Sequence, residues 1–412
     1  MIPPSTDDAA RLAAVRSGLP ALAAGVYLNT GSVGPLPAET AAAMAEATER
    51  EVRIGRAHPA DWEDALERMA EARAGAAAVL GAGLADVALT HSTTDAMNVA
   101  TWGLDWRTGD RAVTTRHEHA GALGPLYALR DRTGIDVEFA DIGDGGDDGR
   151  TLAALDRAIR PGTRLVSVSH VLWTTGAVLP VARIAALAHE RGAVVAVDGA
   201  QAAGALPVDV TALGADVYAM PAQKWLLGPE GVGAAWISPA AADRIRPSFA
   251  GVLAFERYDS AGFAGWRVDG RRYETAGFHR PSVLGMARSI GWLAMSVGLD
   301  FVHRRGPALA RRTADALAAL DGVELVTPRE RMATLVTFRI RGWTAAAALE
   351  ELEARVFAIA RTIPSIDAVR ASVGFFNSEA ELDRFVEAVA LLAAHRPNTL
   401  PPRRRLEVLE GR

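Results

Sequence analysis

Cysteine is absent from all 412 residues. That excludes disulfides, thiolate nucleophiles, iron–sulfur clusters and cysteine-ligated zinc in one step. Lysine is almost absent: Lys224 is the only one among 44 lysines and arginines. Long apolar runs are missing too. Nothing approaches the roughly 18 uninterrupted apolar residues of a membrane span, so no membrane partner is expected. The start, Met1 to Asp8, is polar and acidic and lacks the apolar stretch of a secretory signal, which points to the cytoplasm. With a net charge of −5 there is no basic field to neutralise phosphates, and a nucleic-acid partner is not expected. The arginine run Arg403-Arg404-Arg405, behind Pro401-Pro402, reads as a solvated tail.

Half of the residues are apolar, and the length allows two modules with a large core. Short β-type runs alternate with helical ones. Strands are predicted at Val87 to Thr90, Arg111 to Thr115, Val137 to Ala140, Leu165 to Val171, Val194 to Val197, Val217 to Met220 and Val232 to Ile237. Helices are predicted at Asp95 to Trp102, Leu123 to Arg132, Leu152 to Ile159 and Val181 to Arg191. Apolar strands separated by amphipathic helices imply an α/β fold with a mostly parallel seven-stranded sheet between helices. After about residue 280 the pattern changes. Alanine-rich helices (Pro281 to Val297, Pro307 to Leu320) precede a strand from Thr334 to Ile340, a helix from Thr344 to Glu353, the segment Ala368 to Val373 and a last helix from Ser378 to Ala394. This reads as a smaller α+β domain of residues 1–25 and 281–412 beside a large domain of residues 26–280. Gly143 to Gly149 is read as a turn, since its spacing does not suit a calcium loop, and no metal site is expected.

Arginine can replace lysine for solubility, but not where a neutral amine must attack a carbonyl, because guanidinium stays protonated. Lys224 sits in Met220-Pro221-Ala222-Gln223-Lys224-Trp225-Leu226-Leu227-Gly228, an apolar setting for a surface charge. It reads as a Schiff-base lysine. Asp198 directly follows the buried strand Val194 to Val197, at the carboxyl edge where open α/β sheets bind ligands. A carboxylate there can pair with a protonated pyridine nitrogen while the lysine holds an aldehyde, the two requirements of a pyridoxal phosphate (PLP) site; a turn or helix cap is the alternative. Thr90-His91-Ser92-Thr93-Thr94-Asp95 lies between a strand and a helix, where hydroxyls and N–H groups can receive a phosphate or simply cap the helix. His119, just past another strand end, suits either a stacking partner for a ring or a structural role.

The pieces Val197-Asp198-Gly199-Ala200-Gln201, Gln223-Lys224-Trp225, Glu118-His119-Ala120 and Val369-Arg370-Ala371-Ser372 come in an order that resembles the class V aminotransferase-fold, PLP-dependent enzymes of fold type I. That group includes cysteine desulfurases, isopenicillin N epimerase and cystine C–S lyases. The resemblance runs from about Leu28 to Leu391 and implies specific roles. Lys224 holds the cofactor, Asp198 pairs with the pyridine nitrogen, Gln201 touches the 3-hydroxyl, and His119 stacks on the ring. Ser92, Thr93 and Thr94 hold the phosphate with Gln223 near it, and Arg370 clamps the substrate carboxylate. Asn29, in Asn29-Thr30-Gly31-Ser32, lines the substrate pocket. Thr275, in Tyr273-Glu274-Thr275-Ala276-Gly277, reaches the phosphate of a neighbouring subunit, which implies a homodimer with shared sites.

Two departures narrow the chemistry. Desulfurases of this fold use a cysteine to receive sulfur, and this chain has none. In His170-Val171-Leu172-Trp173-Thr174-Thr175-Gly176, Trp173 stands where desulfurases carry asparagine, and the pattern is closer to the C–S lyase and epimerase branch. The resemblance therefore implies β-elimination from a cysteine S-conjugate or cystine-like amino acid. Epimerisation, transamination, decarboxylating deamination of an S-conjugate and a non-catalytic role are the alternatives. Side-chain specificity is expected to depend on the loops Arg53 to Trp62 and Val252 to Val268.

Overall fold

The computed structural model describes residues 8–403; Met1 to Asp7 at the polar start, and Arg404 and Arg405 of the arginine run, lie outside the described residues. Seven strands form the main sheet: β2 (Val87–Thr90), β3 (Arg111–Thr115), β4 (Asp136–Ala140), β5 (Thr163–Ser169), β6 (Val194–Asp198), β7 (Val217–Pro221) and β8 (Gly233–Ile237). Their order is β2-β8-β7-β6-β5-β3-β4. All neighbours are parallel except β8, which runs antiparallel to both β2 and β7.

The strand β6 shows why the sheet is covered twice. Val194 and Ala196 belong to one core with Ala96, Met97, Ala100, Leu126 and Leu129. Val195 and Val197 belong to the opposite core. Period-two alternation with apolar residues at every position leaves neither face for water. The first face is covered by α4 (Thr93–Trp102) and α5 (Ala120–Thr133), the second by α3 (Pro59–Leu80), α6 (Asp148–Ala158), α7 (Val181–His189) and α9 (Arg280–Gly291), with Val15 of α1 (Asp8–Ser17) and Val210 of the short α8 (Val210–Leu213) in the same core and α2 (Ala38–Ile54) packed on α9.

A second sheet has four strands in the order β11-β12-β15-β14, all antiparallel: β11 (Val323–Leu325), β12 (Leu335–Ile340), β14 (Arg361–Ile363) and β15 (Ala368–Ser372). Its core includes residues of α10 (Leu299–Ala318), α11 (Ala345–Val356) and α12 (Glu379–Ala393). The two-residue strand β1 (Val26–Tyr27) pairs with β13 (Ala358–Ile359) and leads Asn29 to bridge Ser372, at the end of β15. Among the described residues no single helix is long and apolar enough to cross a membrane.

Several local expectations change. Pro307 is expected at a helix start, but α10 begins at Leu299 and carries Pro307 inside it. The helix expected from Pro281 to Val297 is α9 followed by a π-helical turn, and it bends by 86° into α10. Gly298, at φ +90°, occupies that bend, a conformation that glycine adopts without steric cost. Arg53 to Trp62 is mostly helix, the end of α2 and the start of α3, and Val252 to Val268 contains a hairpin, β9 (Phe255–Asp259) with β10 (Gly262–Trp266). Val283, Met286 and Ile290 of α9 pack in the core of the seven-stranded sheet, as do Val15 and Leu19. On this packing we propose a division inside α10 rather than at residue 280.

Gly199, next to Asp198, has a packing constraint. A Cβ there would stand 2.1 Å from Cε1 of Tyr218, whose hydroxyl is fixed 2.8 Å from Nδ1 of His170. Gly199→Ala is expected to cost about 1–3 kcal/mol through overpacking, read as a lower denaturant midpoint; an unchanged midpoint would show that the Tyr218–His170 pair is not rigid.

Candidate active site

Side chains from the carboxyl ends of the sheet and from β14 and β15 converge on one cavity of about 200 Å³. Ser92, Thr93, Thr94, His119, Trp173, Asp198, Gln201, Gln223, Lys224 and Arg370 all line it, joined by Gly31, Ser32 and Arg361. A larger cavity of about 520 Å³, edged by Glu46, Trp62, Phe278 and Arg288, contains none of these residues. The chemistry therefore follows the smaller cavity.

Lys224 lies in the connection from β7 to β8, where strand direction reverses. Its backbone is hemmed in: a Cβ on Gly34 would stand 2.3 Å from the Lys224 carbonyl oxygen, and Gly34 donates its N–H to the carbonyl of Gln223 at 2.7 Å. The residue as a whole is half-buried and lines the cavity. Burial pushes Lys224 down to about 8; Asp198 opposes this, while Arg370 and Arg361 reinforce it. Desolvation outweighs the attraction of the one carboxylate, so the neutral amine is accessible near physiological pH.

Asp198 ends β6 and accepts the N–H of Ala200 through Oδ1 at 2.9 Å. Behind it, in register on β5, stands Ser169, whose hydroxyl donates to Oε2 of Glu118 at 2.5 Å. Thr115 donates to the other oxygen of Glu118 at 2.7 Å. Burial pushes this carboxyl up to about 7; the two hydroxyl donors pull it down and Asp198 adds to the rise. Gln201 donates from Nε2 to the carbonyl of Gly31 at 2.8 Å and accepts from Trp225 Nε1 at 3.0 Å.

His119 caps α5: its Nδ1 accepts the N–H of Gly121 at 3.1 Å, which places the ring proton on Nε2. Burial, then the positive charges of Lys224, Arg361 and Arg370, lower its pKa against the pull of Asp198. The imidazole is neutral and meets Trp173 edge-on, with ring centroids 5.5 Å apart. At the N-terminus of α4, Ser92 accepts the N–H of Asp95 at 3.1 Å. Oγ1 of Thr93 and Oε1 of Gln223 are buried without a partner in the protein.

Arg370 is fully buried on β15. Nη1 donates to the carbonyl of Trp173 at 2.8 Å, while Nε and Nη2 have no partner. Burial, then Arg361, lower its pKa to about 9, which leaves the guanidinium charged at neutral pH. Two adjacent unpaired N–H donors in a fixed fork suit a carboxylate.

Arg361, on β14, is a residue that the motifs do not reveal. It stands directly opposite Arg370 in the antiparallel register. Nη1 donates to Ser32 Oγ at 3.2 Å, and the guanidinium lies 5.4 Å from the centre of the Trp173 ring. Like charges directly opposite each other destabilise a strand pair, so two facing guanidiniums at a cavity call for an anion. The signal was present as two short runs, Arg361 to Ile363 and Ala368 to Ser372, on either side of a four-residue turn containing Pro364. Asn29 and Thr275 do not line the cavity. Asn29 reaches Ser372 through a backbone bridge, and both side-chain oxygens are buried and unpaired. Thr275 lies elsewhere in this chain, between the buried Glu274 and the exposed Ala276.

The donor set fits the pyridoxal phosphate that the resemblance implies. An amine, a carboxylate at a strand end, an unpaired hydroxyl at the N-terminus of α4 and the Gln223 side chain from the β7–β8 connection border one cavity, and would meet aldehyde, ring nitrogen and phosphate there.

Comparison with known proteins agrees. The family model "Aminotransferase class-V" matches residues 26–385. A probable cysteine desulfurase of Methanothermobacter thermautotrophicus is 28% identical over 92% of this chain and 97% of its own length. Isopenicillin N epimerase of Streptomyces clavuligerus is 30% identical over 89% of this chain and 94% of its own. Among solved structures, the cystine C–S lyase C-DES in complex with its reaction product cysteine persulfide superposes with a TM-score of 0.85 at 28% identity, covering 90% of this chain and 99% of that one. A lysine-to-alanine variant of C-DES, with glycine covalently linked to its PLP cofactor, superposes equally well, with a TM-score of 0.85 at 28% identity over 91% of this chain and 98% of that one.

In the cofactor-free protein the Lys224 amine is expected to titrate near pH 8, against about 10.4 for an ordinary lysine. Because it is the only lysine, reductive ¹³C-methylation labels just Lys224 and the α-amine, and an NMR pH titration run beside a Lys224→Ala variant assigns the two signals. Arg361→Ala should move the midpoint upward by removing a nearby positive charge. A wild-type midpoint near that of free lysine would refute the burial argument.

Proposed function

The chain belongs to the class V aminotransferase family, and from that premise we propose that it is a C–S lyase acting by β-elimination on a cystine-like amino acid or a cysteine S-conjugate bearing an acidic group. Pyridoxal 5'-phosphate is its cofactor, and when bound it supplies the electron sink that makes the Cα–H bond acidic. The net reaction consumes an S-substituted cysteine and one water and yields the thiol or persulfide, pyruvate and ammonium.

This chain's residues divide the remaining work. The unpaired Nε and Nη2 of Arg370 hold the α-carboxylate and so orient Cα. The neutral Lys224 amine, free once substrate has taken its place, removes the Cα proton; an amine titrating near neutrality is suited to accept it. Asp198 balances the positive charge of the pyridine nitrogen, and the neutral His119 packs on the ring without adding charge. Ser92, Thr93, Thr94 and Gln223 hold the phosphate, and Gln201 meets the 3-hydroxyl. Trp173 closes the substrate side beside Arg361.

The observation that carries this reading is Arg361 facing Arg370. One guanidinium serves the α-carboxylate; the second selects a negative charge on the other side of the sulfur, as in cystine. The residue inventory supports the same outcome, since no cysteine exists to take up sulfur and it must leave with the thiol or persulfide product. Similarity to isopenicillin N epimerase keeps proton return to Cα as the competing outcome. A homodimer belongs to the proposal as well: Phe249, Val252, Tyr258 and Val268 are exposed apolar side chains in the segment that leads to Thr275, Trp62 is exposed at a cavity that Ala276 and Gly277 also line, and a second copy would cover them.

Purified holoenzyme is expected to release pyruvate and ammonia from cystine in equal amounts. Absence of pyruvate from cystine and from cysteine conjugates, with exchange of the Cα hydrogen for solvent deuterium, would favour the epimerase reading instead. Arg361→Ala should raise KM for cystine by roughly 10–100-fold, the size of one lost charge-assisted hydrogen bond, with a much smaller effect on a neutral S-alkyl cysteine. Equal losses on both substrates would refute the second anion site.

A further inference from the structure

The strand β2 forms one edge of the seven-stranded sheet. Residues 270–278, which open with a 3-10 turn at Gly270–Tyr273, run beside it. A Cβ on Gly270 would stand 2.6 Å from the Val87 carbonyl oxygen. Four residues on, Glu274 Oε1 accepts the N–H of Leu89 at 2.9 Å. Four further on, the Phe278 ring stacks on His91 with centroids 4.4 Å apart and 10° between the planes. His91 opens the turn that carries Ser92, Thr93 and Thr94, and its N–H donates to Asp95 at 3.0 Å. The segment is thus a strap that covers an open sheet edge and ends on that turn.

One buried ion pair fastens the strap. Arg73 of α3 donates from Nε to Oε1 of Glu274 at 3.0 Å, and from Nη2 to Oε1 at 2.8 Å and to Oε2 at 3.0 Å. Both residues are buried. Desolvation offsets most of the attraction in such a pair, so net stability is a weak reason for its presence. Its geometry is more informative, because a fork meeting a carboxylate fixes direction as well as distance. Glu274 joins α3, β2 and the strap through a single carboxylate, and neither member of the pair lines the Lys224 cavity.

We propose that the Arg73–Glu274 pair is a positioning device for the cofactor phosphate: it locks the strap along β2 and, through the Phe278–His91 stack, holds the Ser92–Thr94 turn where the phosphate must meet it. The inference rests on the reading of that turn as the phosphate site. Thr275 lies on the same strap, so the pair also sets the position from which that residue would reach a partner.

The test compares the affinity of the cofactor-free protein for pyridoxal 5'-phosphate and for pyridoxal, which has the aldehyde but lacks the phosphate. Visible absorbance at Lys224 reads both, independently of turnover. Arg73→Lys keeps the charge and loses the fork; Phe278→Ala removes the stack at a half-buried position and leaves the ion pair intact. Each is expected to lower the preference for the phosphorylated aldehyde by roughly tenfold or more, the loss of about one hydrogen bond to a charged group, with pyridoxal affinity held. Ser92→Ala should do the same by direct loss of a donor. If Ser92→Ala lowers the preference and the other two do not, the positioning role is overturned while the phosphate site stands. If both affinities fall in proportion, together with the melting temperature, the pair is merely structural and the proposal fails. An unchanged preference in Ser92→Ala overturns the phosphate reading and this inference with it. Pyruvate release is a separate measurement, so failure of the lyase reading remains distinguishable.

Discussion

Lys224 shares a cavity of about 200 Å³ with Asp198, Arg361 and Arg370, and none of the three neutralises its amine through a direct hydrogen bond among the described residues. This arrangement governs the site. A lysine paired with a carboxylate would stay protonated and could not act as a nucleophile or base. Here burial dominates, the two guanidiniums repel the ammonium form, and the single carboxylate does not compensate. The positions of those charges depend on the fold: Asp198 ends a central parallel strand, Lys224 follows the next strand, and both arginines come from the second sheet.

The relation between the two sheets is therefore part of the chemistry. Arg370 Nη1 donates to the carbonyl of Trp173, and Thr337 Oγ1 donates to the neighbouring carbonyl of Thr174 at 2.8 Å. These contacts join β15 and β12 to the connection after β5, and they fix Trp173 at the wall of the cavity. Because Nη1 is occupied in this way, Nε and Nη2 are the donors left for a ligand, and their direction is set before any ligand arrives. Preorganisation of this kind lowers the cost of orienting a substrate.

Much of this was legible in the chain. The seven strands fall within two residues of the predicted ones because each is a short apolar run bounded by polar or glycine residues, and the double burial of Val194 to Val197 demands a central position. Lys224 stood out as the one lysine where arginine cannot supply a neutral amine, and the structure places it at the cavity. Arg361 was not: the hairpin β14–β15 is short, and nothing in Arg361-Thr362-Ile363 marks a site until its register with Arg370 is known. Glu118 was hidden in the same way, since its donors Thr115 and Ser169 come from two different strands. The start of α10 was misplaced because Pro307, a residue that usually opens helices, sits inside it, and the π-helical turn after Gly291 interrupts a helix expected to run unbroken to Val297.

By itself the sequence determined which groups exist: one side-chain amine able to lose its proton, no thiol, strand-end carboxylates, and guanidinium rather than amine on every other long basic side chain. These are properties of covalent structure and survive any folding. The tertiary structure alone decided which of those groups share one low-dielectric space. A pKa near 8 for Lys224, an opposed pair of arginines and an ion pair 201 residues apart in the chain arise from distances and desolvation, which exist only once strands from distant segments have come together.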